Sequence, residues 1–200
     1  DVFCFWEDRG EVRMQLKPHA PGIRKFSEQA LTAKARTIIK SMRASKDSGK
    51  AVMFYSCIIG SIPGQTATAI KVADTFVRSL RERLDQVFII NPAEYFEPGM
   101  DGDDLMFMWE QVQRSGLINI WRFQSMEDIE ASFGLMGLKV PPVWSGKDAT
   151  FSTGCTKEMR IALDMQVKDF ERRDREGRRA AGDAHADAHM RGVHAFNQAD

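Results

Sequence analysis

The residues best suited to chemistry form one short run, Ser152-Thr153-Gly154-Cys155-Thr156-Lys157-Glu158. Ser152 or Thr153 can cap a helix that starts here. Gly154 and Glu158 are four apart, so they share one helical face. A glycine one turn before a carboxylate leaves open space above it. The partial positive charge and free N–H groups of a helix N-terminus favour the ionised glutamate and can hold an anion such as phosphate. A charged carboxylate facing a small cavity suits a nucleophile or a stabiliser of a developing cation. The plainer alternative is a capped surface helix with a solvated glutamate, which residue types alone favour.

Three further groups stand near the expected ends of apolar strands. Asn91 opens Asn91-Pro92-Ala93-Glu94 and can both accept and donate; the same letters also open an ordinary turn. Tyr55 and Ser56 end the first buried strand, with Gly60 and Ser61 beyond. The Tyr55 hydroxyl can orient a ligand, although a core tyrosine reads the same way. The run Gly60-Ser61-Ile62-Pro63-Gly64-Gln65-Thr66 is neither a Walker loop nor GxGxxG, which argues against ATP hydrolysis. Cys155 near a helix start is a candidate for a lowered thiol pKa. With no histidine in the core segment to serve as its base, a cysteine hydrolase is not expected. His185 and His189 have zinc-compatible i, i+4 spacing with Asp183, Asp187 and His194 nearby, but no strong fourth ligand accompanies them. They read as part of a polar tail, and no metal or cofactor is expected.

These residues need a scaffold. The chain has 200 residues, 28 basic and 28 acidic side chains and 43% hydrophobic residues. That suits one substantial domain and excludes the overall basic excess of a nucleic-acid binder. Only Arg172, Arg173, Arg175, Arg178 and Arg179 form a local cluster. Three cysteines, Cys4, Cys57 and Cys155, are too few for a disulfide framework and point to a reducing, cytoplasmic setting. No apolar run reaches about 18 residues, and the start lacks a signal-peptide pattern, so no membrane association is expected. Starting on Asp rather than Met is what a processed or shortened chain would show.

Along the chain, Val2–Trp6 and Glu11–Leu16 predict a small hairpin, and Lys17–Gly22 a linker. Ser27–Ser45 predicts an amphipathic helix. Ala51–Ile59, Gln86–Ile90 and Leu117–Phe123 predict buried strands, and Leu138–Trp144 an edge strand limited by Pro141-Pro142. Between them lie a helix bearing Ile70, Ala73, Phe76, Val77, Leu80 and Leu84, a helix over Asp103–Arg114, and a short one over Met126–Phe133. A last helix runs from Thr153 to about Phe170. The charged, then Ala/Asp/His-rich tail from Glu171 predicts a helical extension fraying into disorder. Strand and helix alternate without internal repeats, which predicts a three-layer α/β fold around a parallel sheet. The expected organisation is an N-terminal extension over 1–50, a ligand-binding domain over 51–170 and a tail over 171–200.

In this order, strand-Tyr55, then Asn91-Pro-Ala-Glu94, then Ser152-x-Gly154-x-x-x-Glu158-x-x-x-Ala162, the chain resembles the nucleoside 2-deoxyribosyltransferase-like superfamily over roughly residues 51–166. The resemblance implies a flavodoxin-like fold that cleaves or transfers N-glycosidic bonds of nucleosides or nucleotides. Glu158 would act at the anomeric carbon. Ser152 and Gly154 would hold the sugar or its 5′-phosphate, and Tyr55 would supply an aromatic near the ligand. Ser56, Gly60 and Asn91 complete the expected substrate-binding set. TIR domains that cleave NAD use a related glutamate. The acid that such proteins carry beside the third strand is missing from Arg114-Ser115-Gly116 and from Gln124-Ser125, with Asp148 as a substitute, and the segment Phe133–Thr150 is long for the family. The expected partner is a small nucleoside or nucleotide, with no specific nucleic acid, and the expected state is a homo-oligomer. A nucleotide-binding module without turnover and an assembly protein of the same fold are the alternatives. In the last, four Trp and eleven Met would supply adaptable contacts.

Overall fold

The computed structural model describes the backbone of residues 2–8, 11–17 and 26–196, and the side chains of 26–173, 175 and 176. Val2–Asp8 (β1) and Glu11–Lys17 (β2) pair antiparallel, Val2 opposite Lys17. The α/β body follows: Glu28–Asp47 (α1), Ala51–Ser56 (β3), Thr66–Arg81 (α2), Val87–Ile90 (β4), Gly102–Gln113 (α3), Ile120–Phe123 (β5), Met126–Leu135 (α4) and Thr153–Phe196 (α5).

The sheet of the body is parallel, with β3 between β4 and β5. Counted along the parallel strands, the order is 2-1-3, compatible with a flavodoxin-like arrangement. β3 is buried from Val52 to Ser56, and side chains alternate across it. Val52 and Phe54 join a core with α1 and α3, through Leu31, Ile38, Met42, Met108 and Trp109. Met53 and Tyr55 join Ala73, Phe76 and Val77 of α2 on the other face. α4 packs beside α2, and α5 beside α3.

Local chemistry explains the ends of the helices. Ser27 accepts from Ala30 N–H and starts α1. Asp101 with Asp104, and Ser125 with Asp128, form reciprocal capping boxes at α3 and α4. The sequence pattern sets α1 in an extension outside the domain, yet Leu31, Ala35 and Met42 are fully buried against α3 and the sheet. A division at residue 50 therefore cuts through the core.

The strands are shorter than their apolar runs, because side chains replace the ladder at their ends. Val52 N–H donates to Asn119 Oδ1 (3.0 Å), so regular β5 begins at Ile120 rather than Leu117. Ile58 N–H donates to Gln124 Oε1 (3.1 Å), and β3 ends at Ser56 rather than Ile59. The edge strand expected over Leu138–Trp144 does not form. Trp144 N–H turns back to Pro141 O (2.9 Å), and the run is apolar because Trp144 packs on Phe133. No helix among the described residues is long and apolar enough to cross a membrane.

Candidate functional site

The connection after β3 leads to α2 on one face, and the connection after β4 leads to α3 on the other. Connections that part at adjacent carboxyl ends open a crevice, the usual ligand position in such sheets. A cavity of about 560 Å³ lies there, within the size range of small-molecule sites. Its walls include Cys57 and Ile59 to Ser61 after β3, Pro92 and Phe96 after β4, the α3 cap Asp101 with Met106 and Trp109 of α3, and Phe151 to Cys155 with Glu158 at the start of α5.

Glu158 is 6% exposed and reaches this cavity. It belongs to the buried stripe of α5 that includes Cys155, Ile161 and Ala162, so helix geometry carries a carboxyl onto an apolar face. Ser56 Oγ donates to its Oε2 (2.5 Å) from β3. Gln113 Nε2 donates to its Oε1 (2.8 Å) from the end of α3. Burial pushes the Glu158 carboxyl up to about 7, against the opposing pull of these two donors. The expectation of a firmly ionised carboxylate gives way here, because desolvation outweighs what the helix start supplies.

The start of α5 is fixed by Ser152. Its hydroxyl accepts from Cys155 N–H (3.4 Å) and from Ser61 Oγ (2.9 Å). Gly154 faces the cavity; a Cβ there would lie 3.5 Å from Ser152 Oγ and 3.9 Å from Met106 Sδ. A side chain would fit, so the glycine supplies room rather than backbone freedom. The Cys155 thiol is not lowered as its position suggested: burial and then the Glu158 charge push it up to about 12. Cys57 is likewise raised well above the ordinary thiol range, chiefly by burial. Neither is poised as a nucleophile.

Of the seven residues expected at the site, Gly60, Ser152, Gly154 and Glu158 line the cavity. Ser56 supports the carboxyl from beneath it. Tyr55 lies on the opposite face of β3, stacked on Phe76 with ring centres 5.5 Å apart, and its hydroxyl donates to Asp128 Oδ2 (3.4 Å). Burial and the Asp128 charge push its phenol far above the ordinary range. Asn91 is fully buried and makes the turn its sequence allowed. Its Oδ1 accepts from Ala93 N–H (3.1 Å), and its Nδ2 donates to Asp74 (2.6 Å). Glu94 pairs with Arg81 (2.5 Å). Asp148, the substitute acid, caps the turn at Ala149–Phe151.

Ser61, expected beyond the strand with Gly60, lines the cavity as well, whereas Gln113 and Trp109 are site residues that the sequence reading does not single out. Gln113 follows Trp109 by one helical turn, so a polar residue on the apolar face of α3 was the available signal. Among the described residues no group of His, Cys, Asp and Glu side chains is arranged for a metal. The side chains of His185 and His189 lie outside the described residues. Compared with protein-family models, curated proteins and solved structures, the chain matches none.

Proposed function

We propose that the protein is a flavodoxin-like N-glycosidase or glycosyltransferase acting on a nucleoside or nucleotide, with Glu158 at the anomeric carbon. The observation that carries this reading is the placement of Glu158: a buried carboxyl with two neutral hydrogen-bond donors, opening onto a cavity at the carboxyl ends of parallel strands. Cleavage of an N-glycosidic bond builds positive charge on the sugar, and an adjacent carboxylate in a poorly hydrated site stabilises that charge or bonds to the carbon. Ser152, Gly154 and Gly60 offer small walls for the sugar. Phe96 and Trp109 offer apolar surface for a base. In this reading Tyr55 and Asn91 support the site from behind rather than touching the ligand.

The test is incubation with a panel of nucleosides, nucleotides and NAD, with released base read by chromatography, for the unmodified protein and Glu158→Gln. Release by the unmodified protein alone supports the reading; no release from any member sinks it. A second reading, binding without turnover, draws on Asp101. This other carboxylate at the cavity is tied up capping α3 through Asp103 and Asp104 N–H. Ligand affinity without release of base is its signature.

A further inference from the structure

We propose that Gln113 is a positioning residue for Glu158, holding the carboxyl charged and aimed into the cavity from the buried end of α3 without touching a ligand itself. The effect on turnover rests on the glycosidic reading above; the effect on the carboxyl does not. Gln113 is fully buried and is not part of the cavity wall. Its Nε2 donates to Glu158 Oε1 at 2.8 Å. Its own Oε1 is buried without a hydrogen-bond partner. An unpaired buried acceptor is costly, and the adjacent bond to Glu158 gives a reason for tolerating it. Turning the amide over would set its oxygen against the carboxylate oxygens, which is repulsive for the charged form. A donor bonds a carboxylate more strongly than a neutral acid's carbonyl, so the observed orientation favours the ionised glutamate against the pull of burial.

The other groups around Glu158 do not duplicate this role. Ser56 approaches Oε2, the other oxygen, from β3. Cys57, just after β3, and Cys155 of α5 have raised thiol pKa values and stay neutral, so neither places a charge beside the carboxyl. Arg114, the next residue of the chain, pairs with Glu110 and Asp164 instead. The carboxyl is thus gripped at one oxygen by the central strand and at the other by α3.

The test is a carbon-detected NMR titration of the Glu158 carboxyl in the unmodified protein and in Gln113→Met, which keeps length and removes the donor. Losing a hydrogen bond to the charged form should raise the midpoint by at least about one pH unit, tenfold in proton affinity. Turnover at neutral pH should fall by roughly fivefold with KM little changed, because a rise of about one pH unit from about 7 cuts the charged fraction from about one half to about one tenth and the cavity wall does not change. An unmoved midpoint in a folded Gln113→Met protein overturns the proposal. Should that variant not fold, the Gln113 side-chain amide of the unmodified protein decides. Its nitrogen and proton shifts must follow the Glu158 midpoint, and a flat response overturns the proposal. Failure of the unmodified protein to release any base removes the glycosidic reading and leaves this titration intact.

Discussion

Glu158 and Asp128 are both nearly sealed from solvent, at 6% and 3% exposure, and neighbouring residues of β3 reach them. Ser56 points to one face and donates to Glu158; Tyr55 points to the other and donates to Asp128. Their surroundings differ in kind. Asp128 pairs with Arg122 (2.5 Å) and accepts from Ser125 N–H (3.4 Å), while its own N–H bonds to Ser125 Oγ (3.2 Å). Glu158 has only neutral donors and a cavity in front of it. Burial alone therefore does not mark a functional carboxylate. A buried acid held by a cation and a cap is holding the fold; one with neutral partners and a cavity before it is free to meet a charge that arrives with a ligand.

The largest expected effect that separates the two is catalytic. Glu158→Gln should lower glycosidic turnover by on the order of 10²–10³ or more while keeping the fold, by analogy with removing one preorganised charge-stabilising group. Asp128→Asn should leave turnover close to that of the unmodified protein. Equal losses in the two variants would break the contrast.

The next effect is a dependence of stability on pH. The Glu158 carboxyl sits at about 7 in the folded protein, against about 4.3 for an unfolded glutamate. Between these values the folded state holds the extra proton, so this group's contribution to stability is full below about pH 4 and is lost as pH rises through 7. The loss is on the order of 3 kcal/mol. Glu158→Gln removes that slope, so thermal melts at pH 5 and pH 8 should differ less in the variant than in the unmodified protein. Identical slopes would place the glutamate in contact with water.

Asp128→Asn should cost about 1–3 kcal/mol in chemical denaturation, since it strands an Arg122 that is 40% exposed and partly rescued by solvent. The smallest effect is that of Gly154→Ala. Its added methyl meets only ordinary contacts, and exchanging glycine for alanine near a helix start should stabilise by up to about 1 kcal/mol. Ligand affinity should weaken modestly as the methyl takes space from the cavity. A stabilised protein with unchanged affinity would show that Gly154 lies outside the bound ligand's footprint.

Much of this architecture was legible, and the errors have identifiable physical causes. The parallel sheet could be read because Ala51–Ser56 and Val87–Ile90 are apolar runs separated by an amphipathic helix. The ends of the strands could not, because Asn119 and Gln124 imitate backbone partners with their side chains. Pro141 and Trp144 mislead in the same region, since an apolar turn packed on Phe133 has the composition of a strand. Glu158 was found from a helix-start pattern, yet that pattern says nothing of how deeply α5 sinks against α3. Tyr55 and Ser56 show the limit most clearly. Alternation along β3 guarantees that only one of two neighbours can face the crevice, and no local signal says which.

The hydrogen bond between Ser56 and Glu158 joins residues 102 apart in the chain. Contacts of such long range wait for the chain between them to be ordered. The two ends of this bond are also made far apart in time during synthesis. A nascent chain that has released β3, α2 and β4 carries the strand end and the lower wall of the crevice but no acid to place there. The carboxylate arrives only when α5 emerges and docks beside α3. Any chemistry that depends on Glu158 is therefore silent in partly made or C-terminally clipped chains that end before it, a safeguard set by the order of elements along the polypeptide.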